Sequence, residues 1–284
     1  MDEIEKVSII GAGTMGSGIA HVFAVNGYEV NLIDTSDALL ERALSSITDN
    51  LGKQVRKEII SRDEVENALK SINLSTEMDI AADSQLLIEA VFENSEVKKK
   101  VFEELERISD REAILATNTS SISITDIASA TNRKDKVIGM HFFNPVPAME
   151  LVEIIKGEST GEETYQAVRK VVKSLGKTPV EVNDSPGFIS NRVLMPMINE
   201  AVFALMEGVS SADDIDTVMK LGMNHPMGPL RLADFIGLDV CLNIMEILQN
   251  GFNSDKYAPC PLLKEKVESG ELGRKTGSGF YKYN

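Results

Sequence analysis

A β-branched apolar run that ends on three spaced glycines constrains this chain more than any other feature. Residues 6–16 read KVSIIGAGTMG, which puts Gly11, Gly13 and Gly16 in G-x-G-x-x-G spacing. Alone that spacing is a weak signal, because glycines often only make a turn. Here TMGSGIAHVFAVNG follows, with small and apolar residues at helical intervals and Gly27 as a stop, and then YEVNLID, a second strand ending in Asp34. Strand, glycine turn, helix and strand make a βαβ unit, whose two strands lie parallel. In such a unit Gly11 makes the tight turn, Gly13 lets the backbone approach a pyrophosphate, and Gly16 allows close helix–strand packing. The phosphate then rests on the N–H groups at the helix start, and Gly11, Ala12, Gly13, Thr14, Met15 and Gly16 are the cofactor-binding candidates of this turn. Asp34 stands 18 residues beyond Gly16, where a carboxylate bonds both ribose hydroxyls and repels a 2′-phosphate. The expected cofactor is therefore NAD rather than NADP.

The rest of the chain extends this pattern. A long helical stretch, residues 36–70, carries a breaker near Ser61; INLST, QLLIEAVFE and AILATNTS read as strands, with the charged helix SEVKKKVFEELERIS between the last two. VIGMHFF and MELVEII are two further strands joined across NPVPA; a helix over about 161–175 and a short strand TPVEV follow. After NDSPGF (183–188) the β-runs give way to helical periods: PGFISNRVLMPMINEAVFALMEG with Pro196 inside it, SADDIDTVMKLG between Ser211 and Gly222, and LADFIGLDVCLNIMEIL as one striped helix. The expected architecture is a Rossmann-type, doubly wound, mostly parallel α/β domain over residues 1–184, then an all-helical domain over residues 185–284.

Composition narrows the partners. With 29 Lys and Arg against 44 Asp and Glu, the net charge is −15, and nucleic acid, which needs a basic face, is not expected. The acidic start MDEIEK is unlike a basic signal-peptide leader, and no run approaches the roughly 18 apolar residues of a membrane span. Cys241 and Cys260 lack a metal-binding spacing and suit a reducing, cytoplasmic setting, with one disulfide between them left open. No metal site is expected.

In a doubly wound sheet, ligands lie beyond the carboxyl ends of the strands. The polar residues there are Glu93 and Asn94 after one strand, Asn118, Thr119, Ser120 and Ser121 after the next, and His141 and Asn144 after a third. Oxidising an alcohol needs a base for the hydroxyl proton, and an imidazole titrating near neutrality suits that role. NPVPA turns the chain back, so Glu153 can lie on a strand beside His141 and fix its tautomer. Each residue also has a plainer reading. His141 alone would be a packed imidazole, Glu153 a strand-surface acid, Ser120 the cap of a following helix, Asn191 a helix-face amide and Lys275 a solvated loop charge. Lys53, Arg56 and Lys57 lie within about one helical turn, able to meet phosphates or simply to face water. His21 and His225 read as packed residues, and the methionines 195, 197 and 206 as core or as a subunit interface.

GAGTMG, ATNTSS, GMHFFNPVPAMELVEI, SPGFISNR, NHPMGPLRLADFIGLD and GRKTGSGFY together resemble the 3-hydroxyacyl-CoA dehydrogenase family over nearly the whole chain, most closely its bacterial short-chain branch. The HFFNP and SPGF-SNR stretches are far more specific than the glycine motif. The resemblance implies an NAD-dependent oxidoreductase that interconverts a short (S)-3-hydroxyacyl-CoA and the 3-ketoacyl-CoA. It assigns the base to His141, its orienting carboxylate to Glu153, and substrate contacts to Ser120 and Asn191. It puts cofactor contacts on the Gly11–Gly16 turn, Asp34, Glu93, Lys98, Ser120, Asn144 and Lys275. It also implies a homodimer through the helical domain. The phosphates of a coenzyme A substrate need cations on an acidic chain, and the run LGKQVRKEI offers Lys53 and Lys57, with Arg56, for them. The alternatives are a hydroxyacid dehydrogenase acting on a free acid and a non-catalytic relative of the kind used in lens.

Overall fold

The apolar run with which the glycine motif begins forms β1 (Lys6–Ile10), buried at four of its five positions. A computed structural model describes residues 4–283; residues 1–3, where the acidic leader begins, and residue 284 lie outside the described residues. Around β1 the described residues build one eight-stranded sheet in the order β3-β2-β1-β4-β5-β6-β7-β8. The strands are β2 (Glu29–Ile33), β3 (Ile72–Ser75), β4 (Leu86–Glu89), β5 (Ile114–Thr117), β6 (Val137–Phe142), β7 (Leu151–Lys156) and β8 (Thr178–Asn183). All neighbours pair in parallel except β6 and β7, which run antiparallel. The chain order reverses from β1 outward to β2 and β3, then from β1 to β4. That is the topological switch at which such sheets take their ligands.

Helices cover the sheet: α1 (Thr14–Val25), α2 (Asp37–Arg56), α3 (Arg62–Lys70), α4 (Ser95–Ile108), α5 (Ile124–Ala128) and α6 (Glu162–Ser174). The predicted breaker at Ser61 is the N-cap of α3, where its hydroxyl accepts the Glu64 N–H and the Glu64 carboxylate accepts the Ser61 N–H. This reciprocal pair satisfies two backbone donors that the helix start would otherwise leave unpaired. Ile9, Phe23, Leu32, Leu51, Ile88 and Phe142 are among the buried residues of the α/β core.

The chain divides into two compact units, Met1–Asp184 and Ser185–Asn284. The second is helical: α7 (Ser190–Met206), α8 (Ala212–Thr217), α9 (Pro229–Ile236), α10 (Leu238–Phe252) and α11 (Pro261–Glu268). Its core includes Met195, Val202, Leu230, Cys241, Leu248 and Leu263. Pro196 lies inside α7 without ending it. SADDIDTVMKLG is an α-helical start followed by a π-turn over Val218–Gly222.

One expectation is corrected here. LADFIGLDVCLNIMEIL is two helices, α9 and α10, because Gly237 between them adopts φ 107°. A right-handed helix cannot run through that angle, and only glycine takes it without strain. Both cysteines are buried free thiols, so the disulfide left open does not form. Burial pushes the Cys241 thiol up to about 12, which leaves it protonated and unreactive near neutrality.

Candidate active site

The nucleotide turn is built by two close backbone approaches. Gly11 has φ 105°, and a Cβ there would lie 2.6 Å from the Ala90 carbonyl oxygen at the end of β4. A Cβ on Gly16 would lie 1.7 Å from the Gly11 carbonyl oxygen, so helix α1 sits directly on the turn. Gly13 differs: nothing lies within 4 Å of its Cβ position. Gly13 is also the N-cap of α1, and no side chain caps that end. Uncapped N–H groups at the positive end of a helix, beside an open glycine, form an anion cradle. These residues therefore fit a dinucleotide pyrophosphate. The Asp34 carboxylate ends β2 beside the cradle, accepting the Ala12 N–H at 2.7 Å and the Thr35 N–H at 2.7 Å.

The carboxyl ends of β4 and β5 carry a polar ring, buried at Glu89, Lys98, Thr117 and Thr119 and open to solvent at Glu93. Lys98, on α4, places its ammonium 2.7 Å from Glu89 and 3.2 Å from Glu93. Glu93 in turn accepts the N–H groups of Ser120 (3.0 Å) and Ser121 (3.1 Å) and the hydroxyls of Thr119 (2.6 Å) and Ser121 (2.9 Å). Burial pushes the Glu93 carboxyl upward, but the Lys98 ammonium and these donors outweigh it and hold it below the usual carboxylate range. The plainer reading of Ser120 as a helix cap does not hold: Ser123 caps α5 by accepting the Asp126 N–H.

His141 and Glu153 face each other across β6 and β7 as directly opposed residues of the antiparallel pair. Opposed side chains on one face come within contact distance, and here imidazole Nδ1 lies 2.8 Å from a Glu153 carboxylate oxygen. Both are buried, His141 to 8 % and Glu153 to 2 % exposure. The carboxylate fixes the proton on Nδ1, which makes Nε2 the basic atom. Strand β6 is tied to β5 beside this pair, where the Asn118 side-chain oxygen accepts the Phe142 N–H at 2.9 Å.

Asn144 follows β6 and lines a cavity of about 350 Å³ together with Gly13 and Thr14, the α1 residue His21, and Ser46 and Asn50 on α2. His21 is packed, as expected, and also borders this cavity. It is 2 % exposed, and neither ring nitrogen reaches a hydrogen-bond partner. Burial lowers its basicity, with a smaller push from the Lys177 ammonium, against the opposing effect of the neighbouring Gln54 side chain. Lys53 and Arg56 lie exposed in the last turn of α2, with Lys57 as its C-cap.

The second unit holds the two remaining candidates. Asn191 is 9 % exposed in the first turn of α7. Lys275 is an exposed charge, as its plainer reading has it, and is paired: its ammonium lies 2.5 and 2.7 Å from the two oxygens of Asp239 at the start of α10. No cluster of metal-ligating side chains occurs among the described residues, and no helix there is long and apolar enough to cross a membrane. Sequence reasoning missed Glu89, which reads only as the polar end of an apolar strand, and the lining role of His21. The i, i+3, i+4, i+7 series Thr14, Ser17, Gly18 and His21, which marks one helix face, was the available signal for the latter.

Residues 6–185 match the family profile described as 3-hydroxyacyl-CoA dehydrogenase, NAD binding domain, and residues 187–283 match the one described as 3-hydroxyacyl-CoA dehydrogenase, C-terminal domain. The 3-hydroxybutyryl-CoA dehydrogenase of Bradyrhizobium diazoefficiens is 51% identical over 280 residues, covering 99% of this chain and 96% of that protein. The human mitochondrial hydroxyacyl-coenzyme A dehydrogenase is 41% identical over 287 residues, covering 99% and 91%. The crystal structure of (S)-3-hydroxybutyryl-CoA dehydrogenase from Ralstonia eutropha superposes with a TM-score of 0.98 at 48% identity, covering 99% of this chain and all of that one. With a nucleotide cradle, a buried His–Glu pair and both halves of its sequence matched, the chain belongs to the 3-hydroxyacyl-CoA dehydrogenase family of oxidoreductases.

Proposed function

We propose that this chain is an NAD-dependent dehydrogenase that interconverts (S)-3-hydroxybutyryl-CoA and acetoacetyl-CoA. The observation that carries the reading is the buried His141–Glu153 contact of 2.8 Å, set at the carboxyl edge of the sheet whose first turn is the nucleotide cradle. Bound NAD supplies the hydride acceptor for C3 of the alcohol and, in reverse, the donor for the ketone. The protein's part is the proton. Nε2 of His141 takes the C3 hydroxyl proton as the ketone forms, and Glu153 stabilises the resulting imidazolium through Nδ1. In the reverse direction the imidazolium returns that proton to the carbonyl oxygen. Ser120, whose backbone N–H is fixed by Glu93, holds the substrate oxygen. Asn191 is assigned to the substrate, and Lys275 to the cofactor, by their match to the family motifs.

The thioester is favoured over a free acid because exposed cations at the end of α2, Lys53, Arg56 and Lys57, give an acidic protein somewhere to hold coenzyme A phosphates. Two unpaired thiols suit a cytoplasmic enzyme. The second unit exposes Val209 and Leu221 at 71% and 81%; apolar residues so exposed suit a homodimer interface there. The deciding experiment is oxidation of NADH and NADPH with acetoacetyl-CoA, beside free acetoacetate. Turnover with the thioester and NADH alone supports the reading; turnover with the free acid alone removes coenzyme A from it, and no turnover with either revives the non-catalytic alternative.

NAD preference rests on Asp34. In Asp34→Ala the repulsion of a 2′-phosphate disappears. The ratio of kcat/KM for NADH to that for NADPH should fall by about tenfold or more, roughly 1.4 kcal/mol or more of lost discrimination. An unchanged ratio would move the preference to other residues.

A further inference from the structure

Glu89 is the last residue of β4 and is 0% exposed. A carboxylate taken out of water costs several kcal/mol unless it is fully compensated, and burial does push this carboxyl above its usual range. Both carboxylate oxygens nevertheless have partners. One oxygen accepts the Val91 N–H at 2.7 Å and the Lys98 ammonium at 2.7 Å, and the other accepts the Thr117 hydroxyl at 2.8 Å. Being wholly buried, Glu89 can touch neither cofactor nor substrate.

Its two partners lead to the same loop by separate routes. Lys98, 1% exposed, stands between Glu89 inside and Glu93 outside, and Glu93 gathers the N–H groups of Ser120 and Ser121. The Thr117 oxygen that binds Glu89 also accepts the Thr119 N–H at 3.2 Å, and the Thr119 hydroxyl closes the ring onto Glu93. Stability alone gives little reason to keep a buried ion pair, since well-packed apolar replacements are often neutral or better. A ring that fixes one ammonium and one loop from two sides has its use in positioning.

We propose that Glu89 is a positioning residue for cofactor binding: its carboxylate fixes the Lys98 ammonium, and through Lys98 and Thr117 it sets Glu93 and the Ser120–Ser121 backbone. This rests on the reading of Glu93 and Ser120 as cofactor contacts, with Lys98, 1% exposed, standing behind them. In Glu89→Gln the shape stays but the inner charge goes. Lys98 is left to Glu93 alone and draws it off the serine N–H groups.

The test is NADH titration by fluorescence on wild type, Glu89→Gln, Lys98→Met and the double variant, each with its melting temperature. Glu89→Gln should raise the NADH Kd by about tenfold, and the double variant should lose clearly less than the sum of the two single losses, because residues acting through one another do not add. Glu89→Asp, which keeps the charge, should recover part of the affinity. A folded Glu89→Gln with wild-type Kd, or additive effects in the cycle, overturns the proposal. Should Glu89→Gln fail to fold, Thr117→Val, which keeps both charges and cuts only the second route, still decides it: a folded Thr117→Val with wild-type NADH Kd overturns the proposal. NADH binding is read without any acyl-CoA. A wild type that binds NADH but does not turn over acetoacetyl-CoA therefore refutes the proposed activity while the cycle still judges Glu89.

Discussion

His141→Gln is expected to lower kcat by at least about a hundredfold while NADH binds as it does to the wild type. A positioned acid–base group contributes about 10²–10⁴-fold to such a reaction, and glutamine keeps the size and polarity of the side chain without a titratable nitrogen. Binding should survive because His141 belongs to β6, whereas the nucleotide turn is held by Ala90 and Ile33, whose carbonyl oxygens meet Gly11. Stopped-flow turnover with acetoacetyl-CoA and NADH fluorescence titration on one preparation separate the two effects. Wild-type-like turnover would take His141 out of the chemistry. Glu153→Gln is the companion. An amide that donates to Nδ1 puts the imidazole proton on Nε2, where a base is needed, so kcat should fall on the same scale with the histidine intact. If Glu153→Gln turned over normally while His141→Gln did not, the carboxylate would be structural only.

Much of this was legible because the relevant residues are close in sequence or obey a short period. The βαβ unit needs only residues 6–34, and its strands, turn and helix lie where alternation and glycine spacing put them. The His141–Glu153 contact was legible because a tight return across NPVPA pairs two neighbouring strands, and antiparallel pairing brings residues on one face together. What the sequence concealed depends on long-range burial or on a single backbone angle. Glu89 and Lys98 are nine residues apart but meet only because α4 folds back over β4; by composition one is a strand end and the other one of three consecutive lysines on a charged helix. Gly237 sits within an uninterrupted apolar stripe, and nothing in periodicity announces φ 107°. Helix α11 begins at a proline after a loop, with too short an apolar period to stand out. His21 reads as a packed helix residue until the 144–147 loop, more than a hundred positions later, forms the opposite wall of its cavity.

The three glycines of the turn should fail in different ways when given a methyl group, and the contrast between Gly13 and Gly16 tests the cradle itself. Gly13 has φ −67° and open space where a Cβ would go. Gly13→Ala should therefore fold normally, with a melting temperature within a few degrees of wild type. Its methyl would occupy the space through which a pyrophosphate approaches the backbone, so NADH affinity should fall by about tenfold or more, the order of one lost close backbone contact (roughly 1.4 kcal/mol per factor of ten). Gly16→Ala meets the Gly11 carbonyl at 1.7 Å, a backbone atom that cannot rotate away. Helix α1 must move off the turn, and overpacking of this kind costs about 1–3 kcal/mol or more. That variant should lose thermal stability and NADH binding together. Melting curves with and without NADH distinguish the cases: ligand-induced stabilisation should shrink in Gly13→Ala, by up to about 1.4 kcal/mol for tenfold weaker binding, at unchanged apo stability, whereas in Gly16→Ala the apo transition itself should drop. A Gly13→Ala protein that NADH stabilises as strongly as wild type would mean that the dinucleotide does not lie on this turn. Because the hydride must reach the substrate carbon beside His141, the proposed chemistry would then lose its cofactor.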